Sequence, residues 1–193
     1  SFVFSAFVFM FFKNRKIIPF MIVAGILSIP LLPQSIYRRI MTLFNPNDTS
    51  ALYRKAILEP AVRMLKEYWI TGVGLGTEAF ISIYKKYKTY GLSRVAHTHN
   101  FYIQLWLEAG IAAILSFIWF VLRIIKKIAF NISIFKSEDK EVKHILMAGI
   151  ASIAGILVMG LADHIWFYNR IMLVFWTDIG IILTGLGLLR KEV

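Results

Sequence analysis

Hydrophobic residues in this chain form long runs that are separated by basic or polar segments. The runs at 101–122, 145–162 and 171–189 are long enough, at ~1.5 Å per residue, to cross the ~30 Å hydrocarbon core of a bilayer. A shorter run at 17–32 has a proline near each end, where lost backbone hydrogen bonds are easiest to replace. The pattern predicts an all-α chain, a polytopic bundle of transmembrane helices.

The first apolar run, at 2–12, is too short to span a membrane, and no basic stretch before it marks a signal peptide. Because the chain begins with Ser1 rather than methionine, we expect this run to be half of a helix and the chain to be the carboxy-terminal part of a larger protein. The predicted organisation is a truncated helix plus one transmembrane helix at 1–32, a large extracytoplasmic loop with short helices at 33–96, and three transmembrane helices with a basic cytoplasmic loop at 97–193.

Composition supports a membrane protein and changes how the net charge is interpreted. A hydrophobic fraction of 58% and a mean hydropathy of +0.67 exclude an ordinary soluble domain. The absence of cysteine excludes disulfides and thiolate metal sites. A net charge of +11 would by itself suggest a nucleic-acid-binding protein. In a membrane protein, however, the positions of basic residues first indicate which segments lie in the cytoplasm. Placing 13–16, 123–143 and 190–191 in the cytoplasm gives one consistent alternation of spans.

The loop at 33–96 is also basic, which the positive-inside rule tolerates in loops of this length. Such an external loop needs an anionic partner, and phosphates or lipid head groups at the outer leaflet are the nearest candidates. Asp48 offers a helix N-cap, and Pro60 is expected to divide the helix that follows. Glycine occupies every second position at 72–76, a spacing that differs from the dinucleotide-binding motif GxGxxG. These glycines allow the backbone to approach closely either a ligand or another helix.

Polar residues continue from this loop into the span at 101–122. Asn100, Gln104 and Glu108 are spaced by four, so they share a helix face that should project into protein or a wet cavity rather than lipid. Hydrogen bonding between helices is the alternative role, and it is less favoured for Glu108 because an unpaired carboxylate in a membrane is costlier than an amide. Small residues at 148, 151, 152 and 155 indicate close packing of a later helix, and Asp178 needs a buried partner or a function.

His97 and His99 lie at the predicted membrane edge. A histidine that titrates near neutrality can accept a proton from a hydroxyl, and a carboxylate nearby would orient it; a structural role is the alternative. A metal site is not expected, because His144 and His164 fall on opposite sides of the membrane and no carboxylate cluster accompanies the pair. Arg94 must lie near His97, and arginine forks suit the oxygens of a diphosphate head group.

Several of these residues together form a recognisable signature. His99-Asn100 followed by nine residues and Gly110 resembles the H-N-x9-G motif of the O-antigen ligase and O-antigen polymerase superfamily of bacterial membrane glycosyltransferases. The arginine in Tyr53-Arg54, the glycine-rich segment at 69–76 and the acidic Asp163 in the next external turn are similar to features of that superfamily.

The resemblance implies a GT-C-like helical enzyme that needs no metal or other cofactor. Such an enzyme takes a glycan from an undecaprenyl-diphosphate carrier outside the cytoplasmic (inner) membrane and joins it to a hydroxyl of a lipid A core sugar, a growing polysaccharide or a protein. His99 would activate the acceptor and Arg54 would bind the diphosphate. The family's other essential arginine lies upstream, so we expect these residues not to be active alone.

The remaining candidate residues complete this predicted site. Arg94, His97 and Asn100 are expected to help bind diphosphate or substrate, and Glu108 and Asp163 to support the site. The competing function is a transporter or flippase for a lipid-linked or anionic solute, which would use Glu108, Asp178 and the basic loop. Transporters usually show inverted repeats or broken helices at the membrane midplane, and we find no internal repeat. A scaffold subunit would leave the histidine motif unexplained.

Overall fold

The structure, a computed structural model, describes residues 1–42, 48–88, 95–134 and 140–191. These residues contain helices and no strand, which confirms the predicted all-α class. Four helical segments among them are long and apolar enough to cross a membrane: Phe2–Leu31, Phe101–Phe130, Lys140–Met159 and Asn169–Gly187. The chain is therefore a multi-pass membrane protein.

Eight α-helices follow one another in the described residues, with short 3-10 turns at Arg15–Ile17, Ile29–Leu31 and Ile165–Phe167. The α-helices are α1 (Phe2–Asn14), α2 (Ile18–Ser28), α3 (Gln34–Thr42), α4 (Thr49–Tyr68), α5 (Thr77–Tyr84), α6 (Phe101–Ile134), α7 (Lys140–Met159) and α8 (Asn169–Lys191). The backbone of Asn14 is extended (φ −161°, ψ 90°), so the helix direction is interrupted where α1 gives way to α2. Helix α6 continues past its apolar run because lysine and arginine, which follow that run, are good helix formers.

Helix α7 lies between α1 and α8 and makes the most extensive helix–helix contacts among the described residues. Gly155 faces Ser5 of α1, and Gly149 faces Ile182 of α8 so closely that an added Cβ would stand 2.7 Å from the Ile182 side chain. Small residues allow such approach, and close packing is what holds helices together where lipid supplies no hydrophobic drive. The predicted packing role of this face is confirmed.

Asp178 of α8 has its partner on the same small-residue face of α7. The Ser152 hydroxyl donates a hydrogen bond to the Asp178 carboxylate across 2.5 Å. A carboxylate within an apolar span needs such a partner, because the bilayer core offers no water to satisfy it. The sequence indicated the need for a partner but did not identify Ser152.

Helices α4 and α5 pack on the N-terminal part of α6 through a second apolar core that includes Ile57, Met64, Phe80 and Leu107. The Asp48 carboxylate accepts a hydrogen bond from the Ala51 amide at 3.1 Å, which confirms the predicted N-cap of α4.

The prediction that Pro60 divides α4 was wrong, because α4 runs unbroken from Thr49 to Tyr68. Pro60 is buried in the second core, so its packing offsets the hydrogen bond that proline cannot donate. The Tyr84 hydroxyl also donates to the carbonyl of Ile57, 3.3 Å away, on the turn that precedes the proline. Tertiary contacts therefore outweigh a local helix-breaking preference.

Helix α6 is interrupted at Gly110, whose backbone (φ 76°, ψ −177°) is not helical. The backbone of the glycine-rich segment at 69–76 forms hydrogen bonds with groups that this break leaves without helical partners. The Val73 amide donates to the Leu107 carbonyl at 2.7 Å, and the Ile111 amide donates to the Trp69 carbonyl at 2.9 Å. These bonds replace the helical bond that would otherwise join Ile111 to Leu107. The close approach that the sequence left open is therefore to a helix.

Candidate active site

The histidine motif lies in a short loop that is tied to the end of α7. The Phe101 amide donates to the Gly160 carbonyl at 2.8 Å, and the Asn100 side-chain amide donates to the Leu161 carbonyl at 3.1 Å. Two segments that are far apart in the sequence thus meet at the N-terminal end of α6.

Asn100 uses both ends of its side chain in these local contacts. Its Oδ1 accepts from the Ile103 amide at 3.0 Å and caps α6, while its Nδ2 holds the end of α7. The structure therefore shows a positioning role for Asn100, and its predicted contact with substrate stays a prediction.

His99 is paired with Asp163. Nδ1 of His99 lies 3.1 Å from Oδ1 of Asp163, and the two residues are 64 positions apart. Because a carboxylate accepts hydrogen bonds, the proton of a neutral His99 belongs on Nδ1, which leaves the Nε2 lone pair able to accept a proton. The backbone of His99 is left-handed (φ 52°), a conformation uncommon outside glycine. The arrangement is an imidazole held by a carboxylate, as a general base requires.

The pKa of Asp163 is lowered, so its carboxylate is ionised at neutral pH. Partial burial opposes this ionisation, but the His164 backbone amide, which donates at 2.8 Å, and the His99 ring outweigh it. An ionised Asp163 both fixes the tautomer of His99 and stabilises the imidazolium that forms when His99 takes a proton.

The rings of His97, which is buried, and His164, which is half-buried, surround this pair as neutral groups. Burial lowers the pKa of each to about 4. The His97 ring lies 4.4 Å from the His99 ring between centroids, and its Nδ1 accepts from the His99 backbone amide at 3.3 Å. The side chain of His97 is 9% exposed and that of His99 is 28% exposed, so His99 is the more accessible of the two imidazoles. The predicted binding of diphosphate by His97 stays a prediction.

Gln104 and Glu108 support the histidine loop from within α6. Gln104 is 1% exposed, its Oε1 accepts from the Thr98 amide at 2.9 Å, and its Nε2 donates to Glu108 Oε1 at 2.7 Å. These two side chains therefore bond the loop and each other rather than a neighbouring transmembrane helix. Glu108 also lines a cavity of about 260 Å³, which it shares with His164 but not with His97 or His99. The other residues that line it are Gly76, Thr77, Phe101, Leu105, His164, Trp166 and Phe167.

The structure brings the first turns of α4 next to His99. The Tyr53 ring lies 6.1 Å from the His99 ring between centroids, and Arg54 follows it directly with an exposed side chain. Arg54 has no ion pair with any residue that the structure describes. Arg94, the other predicted cation of the site, lies outside the described residues.

Sequence reasoning did not assign His164 or Tyr53 to the site, although both touch its histidines. A signal was present for His164, since it follows Asp163 in the turn after a transmembrane run. No comparable signal existed for Tyr53, because its contact with His99 depends on how α4 packs against α6.

Replacing Asp163 by asparagine should lower proton transfer to His99 Nε2, and with it the activity that the sequence resemblance implies, by on the order of 100-fold or more in the full-length protein. The amide can donate to His99 Nδ1 and so favour the tautomer whose Nε2 carries the proton and cannot act as a base. The measurement is the initial rate of product formation by the purified variant. Glu59→Gln is the matched control, since this exposed carboxylate contacts Arg63 away from the site. A full rate for Asp163→Asn with an undiminished thermal midpoint would contradict the pairing.

Comparison with known families gives one finding. The family described as O-Antigen ligase matches residues 1–118, more than half of the 193-residue chain. The matched region contains Arg54, His99 and Gly110, while Asp163 lies beyond it. Searches of curated proteins and of solved structures give no match.

Proposed function

Because the chain belongs to the O-antigen ligase family of bacterial membrane enzymes, we propose that it transfers a glycan from an undecaprenyl-diphosphate carrier to an acceptor hydroxyl. The observation that carries the proposal is the His99 Nδ1 to Asp163 Oδ1 distance of 3.1 Å at one end of a transmembrane helix. This pair leaves a partly exposed imidazole nitrogen where a membrane-anchored donor and an acceptor could meet.

In the proposed reaction, the acceptor oxygen attacks the anomeric carbon of the donor glycan. His99 Nε2 takes the proton of the hydroxyl as the new carbon–oxygen bond forms. The bond between the anomeric carbon and the diphosphate oxygen breaks, and undecaprenyl diphosphate leaves with the electron pair. Asp163 stabilises the imidazolium until the proton is passed to solvent. Acceptors of this chemistry include a lipid A core sugar, a growing polysaccharide or a protein.

The leaving group gathers negative charge, so the site needs cations beside the diphosphate. Arg54 is the proposed ligand, because a guanidinium offers a planar fork that matches phosphate oxygens and is always charged. Its place on α4, one residue from the ring that contacts His99, supports this role. With Arg54 and other loop cations supplying the charge, we propose that the transfer is metal-independent.

We propose that the site faces the outside of the cytoplasmic membrane. Basic segments at 13–16, 123–143 and 190–191 would then lie in the cytoplasm, as the positive-inside rule requires. In this topology the segment Phe2–Leu31 would turn at the break between α1 and α2, where Asn14 is extended. The loop helices at 33–96 would form an extracytoplasmic cover over the membrane helices at 97–193. The cavity lined by Glu108, His164 and aromatic rings would hold part of a glycan.

Replacing Arg54 by alanine should lower glycan transfer by on the order of 100-fold, because one charge-stabilising donor is lost from the transition state. Arg54→Lys should recover part of the rate, since an ammonium keeps the charge but not the fork. The matched control is Lys55→Ala, which removes the next exposed cation of α4. Rates for purified full-length variants with an undecaprenyl-diphosphate glycan provide the measurement, and equal losses for Arg54→Ala and Lys55→Ala would argue against a specific role for Arg54.

The alternative function, a transporter or flippase, is less well supported by the structure. The two carboxylates on which it relies are bonded to neighbouring side chains, Glu108 to Gln104 and Asp178 to Ser152. Reconstitution of the full-length protein with a lipid-linked glycan and an acceptor separates the two functions. A covalent glycan–acceptor product indicates the transferase, whereas movement of the intact lipid-linked glycan between leaflets without product indicates the transporter.

A further inference from the structure

We propose that His97, His99 and Asp163 form a binding site for a zinc-like divalent ion, and that this ion and the proton-accepting state of His99 exclude each other. One potential ligand atom from each residue lies within 4.8 Å of the other two. Nδ1 of His99 and Nδ1 of His97 lie 3.1 Å and 3.9 Å, respectively, from Oδ1 of Asp163.

These distances are close to those that a tetrahedral ion imposes. With metal–ligand bonds of about 2.0–2.1 Å, the ligand atoms of a tetrahedral zinc stand about 3.3–3.4 Å apart. One separation measured from Asp163 is slightly shorter and the other slightly longer than this value. Both separations from Asp163 lie within about 0.6 Å of the tetrahedral value, and the ligand atoms of the two histidines lie no more than 4.8 Å apart.

The donor set selects the class of metal. Two imidazole nitrogens and one carboxylate oxygen suit zinc and its first-row neighbours, whereas calcium and magnesium prefer oxygen ligands alone. Side-chain exposures of 28% for His99 and 31% for Asp163 leave a path from solvent and an open fourth position.

The carboxylate of the proposed metal site is that of Asp163, in the turn after α7. That turn is held against the histidine loop by the hydrogen bond from the Phe101 amide to the Gly160 carbonyl. The sequence argument against a metal site was that no carboxylate cluster accompanies His97 and His99; the structure places one carboxylate beside them, from 64 residues beyond His99.

Binding of the ion would displace two interactions that the structure shows. The ion would replace the proton between His99 and Asp163, and it would take the His97 lone pair that now accepts the His99 backbone amide at 3.3 Å. A metal on His99 Nδ1 also leaves the ring proton on Nε2, so that nitrogen cannot accept the proton of an acceptor hydroxyl. The site itself does not depend on the proposed function, but the expected inhibition of transfer rests on it.

Binding is tested on the purified full-length protein after removal of metals with a chelator. Titration calorimetry with Zn²⁺, with Co²⁺ absorption as a second probe, should detect one site per chain. His97→Gln and Asp163→Asn should each weaken binding at least tenfold, and His144→Gln, an exposed histidine at the start of α7, should not change it. The two variants alter different segments, and a thermal midpoint for each checks its folding. No Zn²⁺ binding, or equal affinity in folded His97→Gln and wild type, would overturn the site.

A transfer assay then tests the exclusion. Zn²⁺ should inhibit glycan transfer with a half-inhibitory concentration near its measured Kd, and excess chelator should restore the rate. Zn²⁺ bound at this site with an unchanged rate would overturn the exclusion. Site-specific binding in a protein that transfers no glycan under any condition would count against the proposed function and leave the metal site supported.

Discussion

Glycan transfer by the full-length protein should fall by about 10²–10⁴-fold when His99 is replaced by alanine, the range that a positioned general base supplies. The acceptor hydroxyl is a weak nucleophile unless a base accepts its proton. In this site the free nitrogen of His99 is oriented by Asp163 at 3.1 Å, and alanine removes both the acceptor and the charge pair. The fold should persist, since the His99 side chain is partly exposed.

The measurement is the initial rate of transfer by purified protein at equal folded concentration. His144→Ala is the matched control, since it removes an exposed histidine that is not part of the cluster and should leave the rate unchanged. His97→Ala separates the two histidines of the motif. It should retain more activity than His99→Ala, because His97 supports the loop through its bond to the His99 amide. A lower residual rate for His97→Ala than for His99→Ala would indicate that His97 is the base.

Gly110→Ala should destabilise the protein by on the order of 2–4 kcal/mol, because it combines backbone strain with the loss of hydrogen bonds. Gly110 has a φ of 76°, which side-chain-bearing residues adopt only with strain. An added Cβ would overlap the Ile70 carbonyl oxygen, which is backbone and cannot rotate away. The glycine-rich segment would have to separate from α6, and the bonds of Val73 and Ile111 would break.

A thermal unfolding midpoint for the full-length protein in detergent measures this effect. Gly180→Ala is the matched control, because Gly180 lies within α8, has no positive φ, and would place its Cβ in open space. Alanine there should be neutral or slightly stabilising, as expected for a helix interior. Equal midpoints for Gly110→Ala and Gly180→Ala would show that the break in α6 tolerates a side chain.

Local patterns predicted the parts of this molecule that depend on nearby residues. The apolar runs at 101–122, 145–162 and 171–189 identified three of the four segments that could span a membrane, because span length and hydropathy are local properties. The fourth segment, Phe2–Leu31, joins two runs that were predicted as separate helices. The Asp48 cap and the small-residue face of α7 were predicted correctly for the same reason. The H-N-x9-G resemblance led to His99 and to Gly110, and the structure supplies the physical reason for the glycine: a positive φ against a backbone carbonyl.

Features that depend on tertiary packing could not be predicted in this way. Periodicity shows which face of a helix is apolar, but not which helix meets that face. The pairing of His99 with Asp163, the bond between Ser152 and Asp178 and the docking of the glycine-rich segment on α6 all join distant parts of the chain. Pro60 is a further example: its helix-breaking preference predicted a break in α4, but the helix is continuous and the proline is buried.

The interruption of α6 also restricts how the chain can vary. The apolar span Phe101–Phe130 contains the break, so its exposed amides and carbonyls lie where water is scarce and unmet polar groups are costly. The segment at 69–74 can form hydrogen bonds with these backbone groups only if its length and register are kept. An insertion there would behave unlike one in an ordinary surface connection, because it would leave orphaned backbone groups inside the span.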